Sequence, residues 1–188
     1  KSGAMVGLLD SPASGEGTSP AFPVGAGPKH LAAGEPVMVD LGSVKNGYHM
    51  DETRMYAIDS MPAKAADACQ AAIEIHDSVL GLAAPGVTAE ELFEHAVARA
   101  AALGYQDSFL GLPGYQVSFI GHGIGIELDE YPFLAQGQRL EFQQNMIVAL
   151  EPKLIFPGVG VVGIENTHVV TADGLHQLGK FNEEVNIV

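Results

Sequence analysis

The sequence predicts an α+β fold with a curved antiparallel sheet, and three observations predict it. Apolar residues make up 47% of the 188-residue chain, enough to bury a sizeable core. Strand-like segments, two helical segments and further strand-like segments follow one another in blocks. Strict alternation would favour a parallel, doubly wound sheet, whereas this segregated order favours antiparallel pairing. The first strand-like region also carries the strongest two-residue hairpin signal, Asn46-Gly47, at its centre.

Residues 1–35 are rich in Gly, Pro, Ala and Ser, and Ser11 to Pro28 reads as loop. Residues 36–58 read as a hairpin, with Val37, Val39 and Leu41 alternating with Met38 and Asp40. Taking Asn46-Gly47 as the loop pairs position 45 with 48 and position 40 with 53. A helix follows over 62–83, with Ser60 as its cap and Pro62 in its first turn, and Pro85-Gly86 ends it. A second helix opens at Thr88 with Glu91 completing a capping box, carries Leu92, Phe93, Val97, Ala100 and Leu103 as its apolar face, and stops at Gly104. From Tyr105 the chain returns to β character, and residues 145–156 and 159–171 read as two strands joined near Pro157-Gly158.

Charge narrows the function. Lys plus Arg number 9 and Asp plus Glu 23, for a net charge of −14. Such a chain offers no basic stripe for nucleic acid and little attraction to an anionic membrane surface. No apolar run approaches the roughly 20 residues needed to span a bilayer. Cys69 is the only cysteine, which excludes an intrachain disulfide and fits a reducing, cytoplasmic setting. A start at Lys1 rather than Met reads as a fragment.

The informative anomaly is acid inside apolar strands: Asp40 in VMVDLG, Glu151 in MIVALEPKLIF and Glu165 in VVGIENTHVV. Strand interiors are depleted in Asp, and a buried unpaired carboxylate costs several kcal/mol. In the first hairpin Asp51 falls opposite Gly42, so Asp40 and Asp51 are diagonal neighbours on one face, roughly 7–8 Å apart at Cα. In the second region a three-residue loop sets Glu151 opposite Glu165; a two-residue loop offsets them by one and requires a bulge. Between the two lies Gly121-His122-Gly123-Ile124-Gly125, where glycines allow close backbone approach beside one imidazole. Four carboxylates bring a charge of −4, which two divalent cations offset. Oxygen ligands with a single imidazole suit Mn²⁺, Co²⁺, Fe²⁺ or Zn²⁺.

The stretches VMVDLGSVKNGYHMDETR (37–54), GHGIG (121–125), ALEPKL (149–154) and GIENTHVVT (163–171) together resemble the pita-bread metallopeptidases, in particular the aminopeptidase P and Xaa-Pro dipeptidase branch. The resemblance implies one catalytic domain over 1–188, truncated at its N-terminus, with helices on the outer face of the curved sheet. It implies two divalent metal ions, manganese among the candidates. Asp40 binds one, His122 and Glu151 the other, and Asp51 and Glu165 bridge both. It further implies a metal-bridging hydroxide as nucleophile, Glu151 as proton shuttle, a short peptide as substrate, including Xaa-Pro, and a homodimer.

The chain departs from that pattern around the metal ligands. Histidines usual in the family are replaced by Val24, Ser118 and Asp129, and an Arg two residues before the last Glu ligand is replaced by Gly163. Ser118 and Asp129 are thereby weak substrate-binding candidates. A carboxylate at 129 accepts hydrogen bonds but does not donate as an imidazole does. These replacements keep open a non-peptidase relative, either a metal-dependent lyase or a binding module.

Overall fold

The computed structural model describes residues 15, 17–21 and 25–188. Strands β1 (Val37–Lys45) and β2 (Tyr48–Ala57) form the expected hairpin, with Asn46 and Gly47 both at positive φ (55° and 85°). Its register matches the sequence expectation: Asp40 pairs with Thr53 and Gly42 with Asp51. The turn sets this register, because a two-residue loop with both central residues left-handed matches the natural twist of the strands.

Helix α1 (Ala63–Leu82) begins one step later than expected. Ser60 does not cap it; Pro62 is the N-cap and makes no side-chain cap hydrogen bond. Its carbonyl accepts from the amides of Ala65 and Ala66 at 2.8 and 3.0 Å. The proline ring disfavours helical backbone at Met61, so the helix cannot start earlier. Helix α2 (Ala89–Ala102) carries the expected capping box: the Glu91 amide donates to Thr88 Oγ1, and the Thr88 amide to Glu91 Oε2. Ala65, Ala68, Ala72, Ile75 and Val79 of α1, with Leu92, Ala96 and Ala100 of α2, form the helical side of the core at 0% exposure.

The remaining strands are β3 (Phe119–Gly123), β4 (Glu130–Ala135), β5 (Ile147–Leu150), β6 (Lys153–Phe156), β7 (Gly160–Gly163), β8 (Asn166–Thr171), β9 (Gly174–Gln177) and β10 (Asn186–Ile187). A five-stranded antiparallel sheet has the order β4-β3-β5-β8-β9, a second sheet the order β1-β2-β10, and β6 pairs with β7. The β10–β2 pair is parallel, so the sheets are not wholly antiparallel as expected. Helix α1 packs on β7, β9 and β6, and α2 on β4 and β3.

The second hairpin has the three-residue loop: Phe156 pairs with Gly160 around Pro157, Gly158 and Val159. It does not run as two continuous strands, however. At Glu151-Pro152 the ladder breaks, because proline has no amide to donate. The Glu151 amide turns to the Ile120 carbonyl (2.7 Å) instead. The register is unchanged across the break, Leu150 with Asn166 on one side and Lys153 with Gly163 on the other. Glu151 and Glu165 therefore face each other at the junction between two sheets.

On the other face of β8, His168 is fully buried, with its ring 5.2 Å from that of His76. His76 on α1 is fully buried too. Burial, reinforced by the neighbouring His76, pushes His168 down to about 3. The folded protein therefore holds His168 neutral while the unfolded chain protonates it, so its contribution is complete above about pH 6.5 and fades as pH falls towards 3. Between pH 7 and pH 5, urea denaturation is expected to show wild type losing about 2 kcal/mol more than His168→Phe. Parallel losses in the two proteins would refute a neutral buried imidazole.

Candidate metal centre

Strand pairing brings the predicted ligands into one cavity of about 870 Å³, whose wall includes Asp40, Asp51, His122, Asp129, Glu151, Lys153 and Glu165. Each arrives by a distinct local device. Asp51 sits on the buried part of β2, with its amide donating to Thr167 Oγ1 (3.0 Å) while the Thr167 hydroxyl donates to the Asp51 carbonyl (2.8 Å). Glu165 lies in a backbone bridge with Thr53, and the Thr53 hydroxyl donates to Glu165 Oε2 at 2.8 Å.

His122 lies on β3 between β4 and β5, where the backbones crowd. A Cβ at Gly121 would stand 2.3 Å from the Ala149 carbonyl oxygen, and one at Gly123 2.4 Å from that of Tyr131. The two glycines thus permit the strand spacing that seats the imidazole. His122 Nδ1 lies 2.9 Å from the Gly123 carbonyl oxygen, which makes Nδ1 the donor and turns Nε2 into the cavity.

Nε2 meets a wall of oxygen: Asp129 Oδ1 at 3.1 Å, Glu151 Oε1 at 3.5 Å and Glu165 Oε1 at 3.9 Å. Ligand atoms of Asp51, His122 and Glu165 all lie within 4.8 Å of one another. The side chains are secluded, with exposures of 4% for Asp51, 2% for His122, 9% for Glu151 and 1% for Glu165. Burial drives the Glu165 carboxyl well above its ordinary range, and the charges of Glu151 and Asp51 add to this, against a smaller opposing effect of Lys153. Asp40 Oδ1 is buried without a hydrogen-bond partner, and buried polar atoms seldom go unsatisfied. Lone pairs crowded at these separations, with one imidazole, fit divalent cations, and Asp40, Asp51, His122, Glu151 and Glu165 are the residues that would hold them.

The expected outer residues fare differently. Asp129 reaches the centre through its contact with His122. Ser118 does not; it is exposed and lines a second depression with Phe93 and Phe133. Val24 lies outside the described residues. His49 contacts the Gly125 carbonyl oxygen through Nδ1 at 3.3 Å, and His168 faces away towards α1.

Sequence reasoning took Arg54 and Lys153 only as single cations against the four carboxylates and gave Thr53 no part at the centre. Thr53 lies opposite Asp40 in the hairpin register, and that signal was sufficient to place its hydroxyl on the ligand face. Arg54 is buried beneath the centre and donates to the carbonyls of Thr53 and Glu165 (2.8 Å each), to Asn166 Oδ1 (2.7 Å) and to the carbonyl of Asn182 (2.9 Å). Lys153 forms an ion pair with Glu151 Oε2 inside the cavity. Burial by itself would lower the pKa of this ammonium, but Glu151, Glu165 and Asp40 together raise it.

A buried imidazole among carboxylates, on a pita-bread scaffold of sheets backed by helices, marks the class of proteins built around divalent metal ions on this fold. The chain belongs to metallopeptidase family M24, whose pattern it matches over residues 10–172. It is 31% identical over 160 residues to the Xaa-Pro dipeptidase of Pyrococcus furiosus, a match covering 85% of this chain and 44% of that protein. It is 32% identical over 173 residues to the probable dipeptidase PepE of Mycobacterium tuberculosis, covering 88% and 44%. Among solved structures it resembles dipeptidase PepE from Mycobacterium ulcerans, with a TM-score of 0.78 and 29% identity over 90% of this chain and 43% of that one. It also resembles the prolidase from Pyrococcus furiosus, with a TM-score of 0.76 and 29% identity over 87% and 46%. The chain thus spans less than half the length of the curated relatives it matches.

Removing the Thr53 hydroxyl frees Glu165 Oε2 without touching a ligand. Thr53→Ala is expected to weaken Mn²⁺ binding by roughly 10–100-fold in calorimetry. An unchanged affinity would show that the hydroxyl does not orient the carboxylate.

Proposed function

We propose that this chain carries the catalytic centre of a metal-dependent dipeptidase that uses two divalent ions and hydrolyses short peptides, Xaa-Pro among them, at the N-terminal bond. The observation that carries the reading is the convergence of Asp51, His122 and Glu165 within 4.8 Å, with Glu151 Oε1 3.5 Å from the same imidazole. The names borne by the relatives, Xaa-Pro dipeptidase and dipeptidase, support the substrate class.

When bound, divalent ions supply the positive charge that polarises a peptide carbonyl and acidifies water. The chain does the rest. Asp40, Asp51, His122, Glu151 and Glu165 would hold the ions, and the burial of Asp51, His122 and Glu165 would let that charge act at low effective dielectric. Glu151 reaches the cavity from the junction of two strands and is the group placed to move a proton. As water adds to the carbonyl carbon, its carboxylate takes the proton; as the C–N bond breaks, it returns the proton to the leaving amine. Asp129, beside His122 at the cavity wall, is placed to accept hydrogen bonds from the substrate's amino group. The reading includes a homodimer, which sedimentation of the purified protein would reveal as twice the mass of the chain.

The decisive experiment incubates protein of known metal content with a panel of dipeptides. Release of the N-terminal residue is expected. Metal-loaded protein that cleaves no member would instead favour the lyase or binding reading raised by the replacements at Val24, Ser118 and Asp129. Glu151→Gln is expected to keep the fold and to lower turnover by at least about 10²-fold. Full activity in that variant would remove Glu151 from the role of proton shuttle.

A further inference from the structure

Lys153 has no part in the reaction described above, yet its charge lies within the reaction cavity. Its side chain is 19% exposed, it lines the same wall as the ligands, and its ammonium donates to Glu151 Oε2. An ammonium carries three donors, and Glu151 is the one hydrogen-bond acceptor the structure gives Lys153 among the described residues. The space for its stem comes from the facing strand. Gly163 pairs directly with Lys153, and a Cβ there would stand 2.9 Å from Lys153 Cγ.

We propose that Lys153 is a specificity-determining residue, which receives the free carboxylate of a dipeptide's C-terminal residue and so makes the centre select dipeptides over longer or C-terminally blocked peptides. The proposal rests on the peptidase reading above. Its basis is a distance along the substrate. In a dipeptide the leaving nitrogen and the carboxylate belong to one residue, separated only by its Cα. If Glu151 faces that nitrogen, a cation in contact with Glu151 lies within one residue's span of the carboxylate. In a tripeptide or a dipeptide amide the same position is a neutral amide, which gains far less from an ammonium.

Charge in the cavity points the same way. The wall carries the acids Asp40, Asp51, Asp129, Glu151 and Glu165, more negative charge than two divalent cations would offset, so an entering carboxylate still needs a cation to meet it. Lys29, the other lysine of the wall, is bound to Glu35 Oε1 at 2.7 Å near the exposed rim. Lys153 is therefore the cation beside the proton shuttle.

The test compares a dipeptide with its C-terminal amide, in binding and in turnover, on protein loaded with Mn²⁺. In Glu151→Gln protein shown by metal analysis to hold as much Mn²⁺ per chain as wild type, calorimetry is expected to show the free dipeptide bound more tightly than the amide. That preference should vanish in Glu151→Gln/Lys153→Met. In otherwise wild-type protein, Lys153→Met should raise KM for the dipeptide about 50-fold. It should change KM for the amide less than about threefold and leave the bound Mn²⁺ per chain unaltered. Lys153→Arg should restore most of the preference. Equal binding of dipeptide and amide by Glu151→Gln protein overturns the proposal without any variant at 153. So does a Lys153→Met loss that is the same for both substrates. Absence of turnover on either substrate by wild type, with the binding preference intact, sinks the peptidase reading and leaves the carboxylate site standing.

Discussion

Like charges held together out of water constrain everything else in this molecule. Asp51, Glu151 and Glu165 are almost wholly secluded, and Asp40 joins them from the neighbouring strand. Carboxylates left in that arrangement repel one another and lose hydration, a cost that no ordinary packing repays. The chain therefore surrounds them with devices that fix their positions. Thr53 and Thr167 hold the ligands by hydroxyl groups, Arg54 grips the backbone beneath them, and Lys153 offsets one charge from within. The crowding makes physical sense around divalent cations, which is the chemistry of the family to which the chain belongs.

Much of this was legible before any coordinates. Asn46-Gly47 dictates a two-residue turn, and the turn dictates that Asp40 and Asp51 share a face. The capping box at Thr88 and the stop at Gly104 follow from local hydrogen bonding and positive φ, and both are present. The second hairpin was readable only up to its loop, because Pro157, Gly158 and Val159 suit two-residue and three-residue connections alike. The break at Glu151-Pro152 had a local signal, the missing proline amide, but its consequence depends on Ile120 offering a carbonyl from a strand thirty residues earlier. Burial of His76 is set by contact with His168 on β8, far from α1 in sequence, which periodicity does not encode.

The proposed ligands lie in the segments that carry the family resemblance, and the scaffold superposes with TM-scores of 0.78 and 0.76 on PepE and prolidase structures. Around that centre stand Asp129 beside the imidazole, Lys153 beside Glu151, and glycine at 163 where the lysine stem passes. A site of this kind keeps the chemistry fixed by its ions and varies recognition through the surrounding side chains.

The ligands do not share one sheet. Asp40 and Asp51 belong to the β1-β2-β10 sheet and His122 to the five-stranded one, while Glu151 and Glu165 lie at the corner where the β6–β7 ribbon departs. Across that seam the backbone contributes the Thr53–Glu165 bridge. Ions seated there would act as a clasp between three layers of the molecule, so that cation uptake and closure of the seam become a single thermodynamic event. A chelator would then act on the architecture as well as on the chemistry.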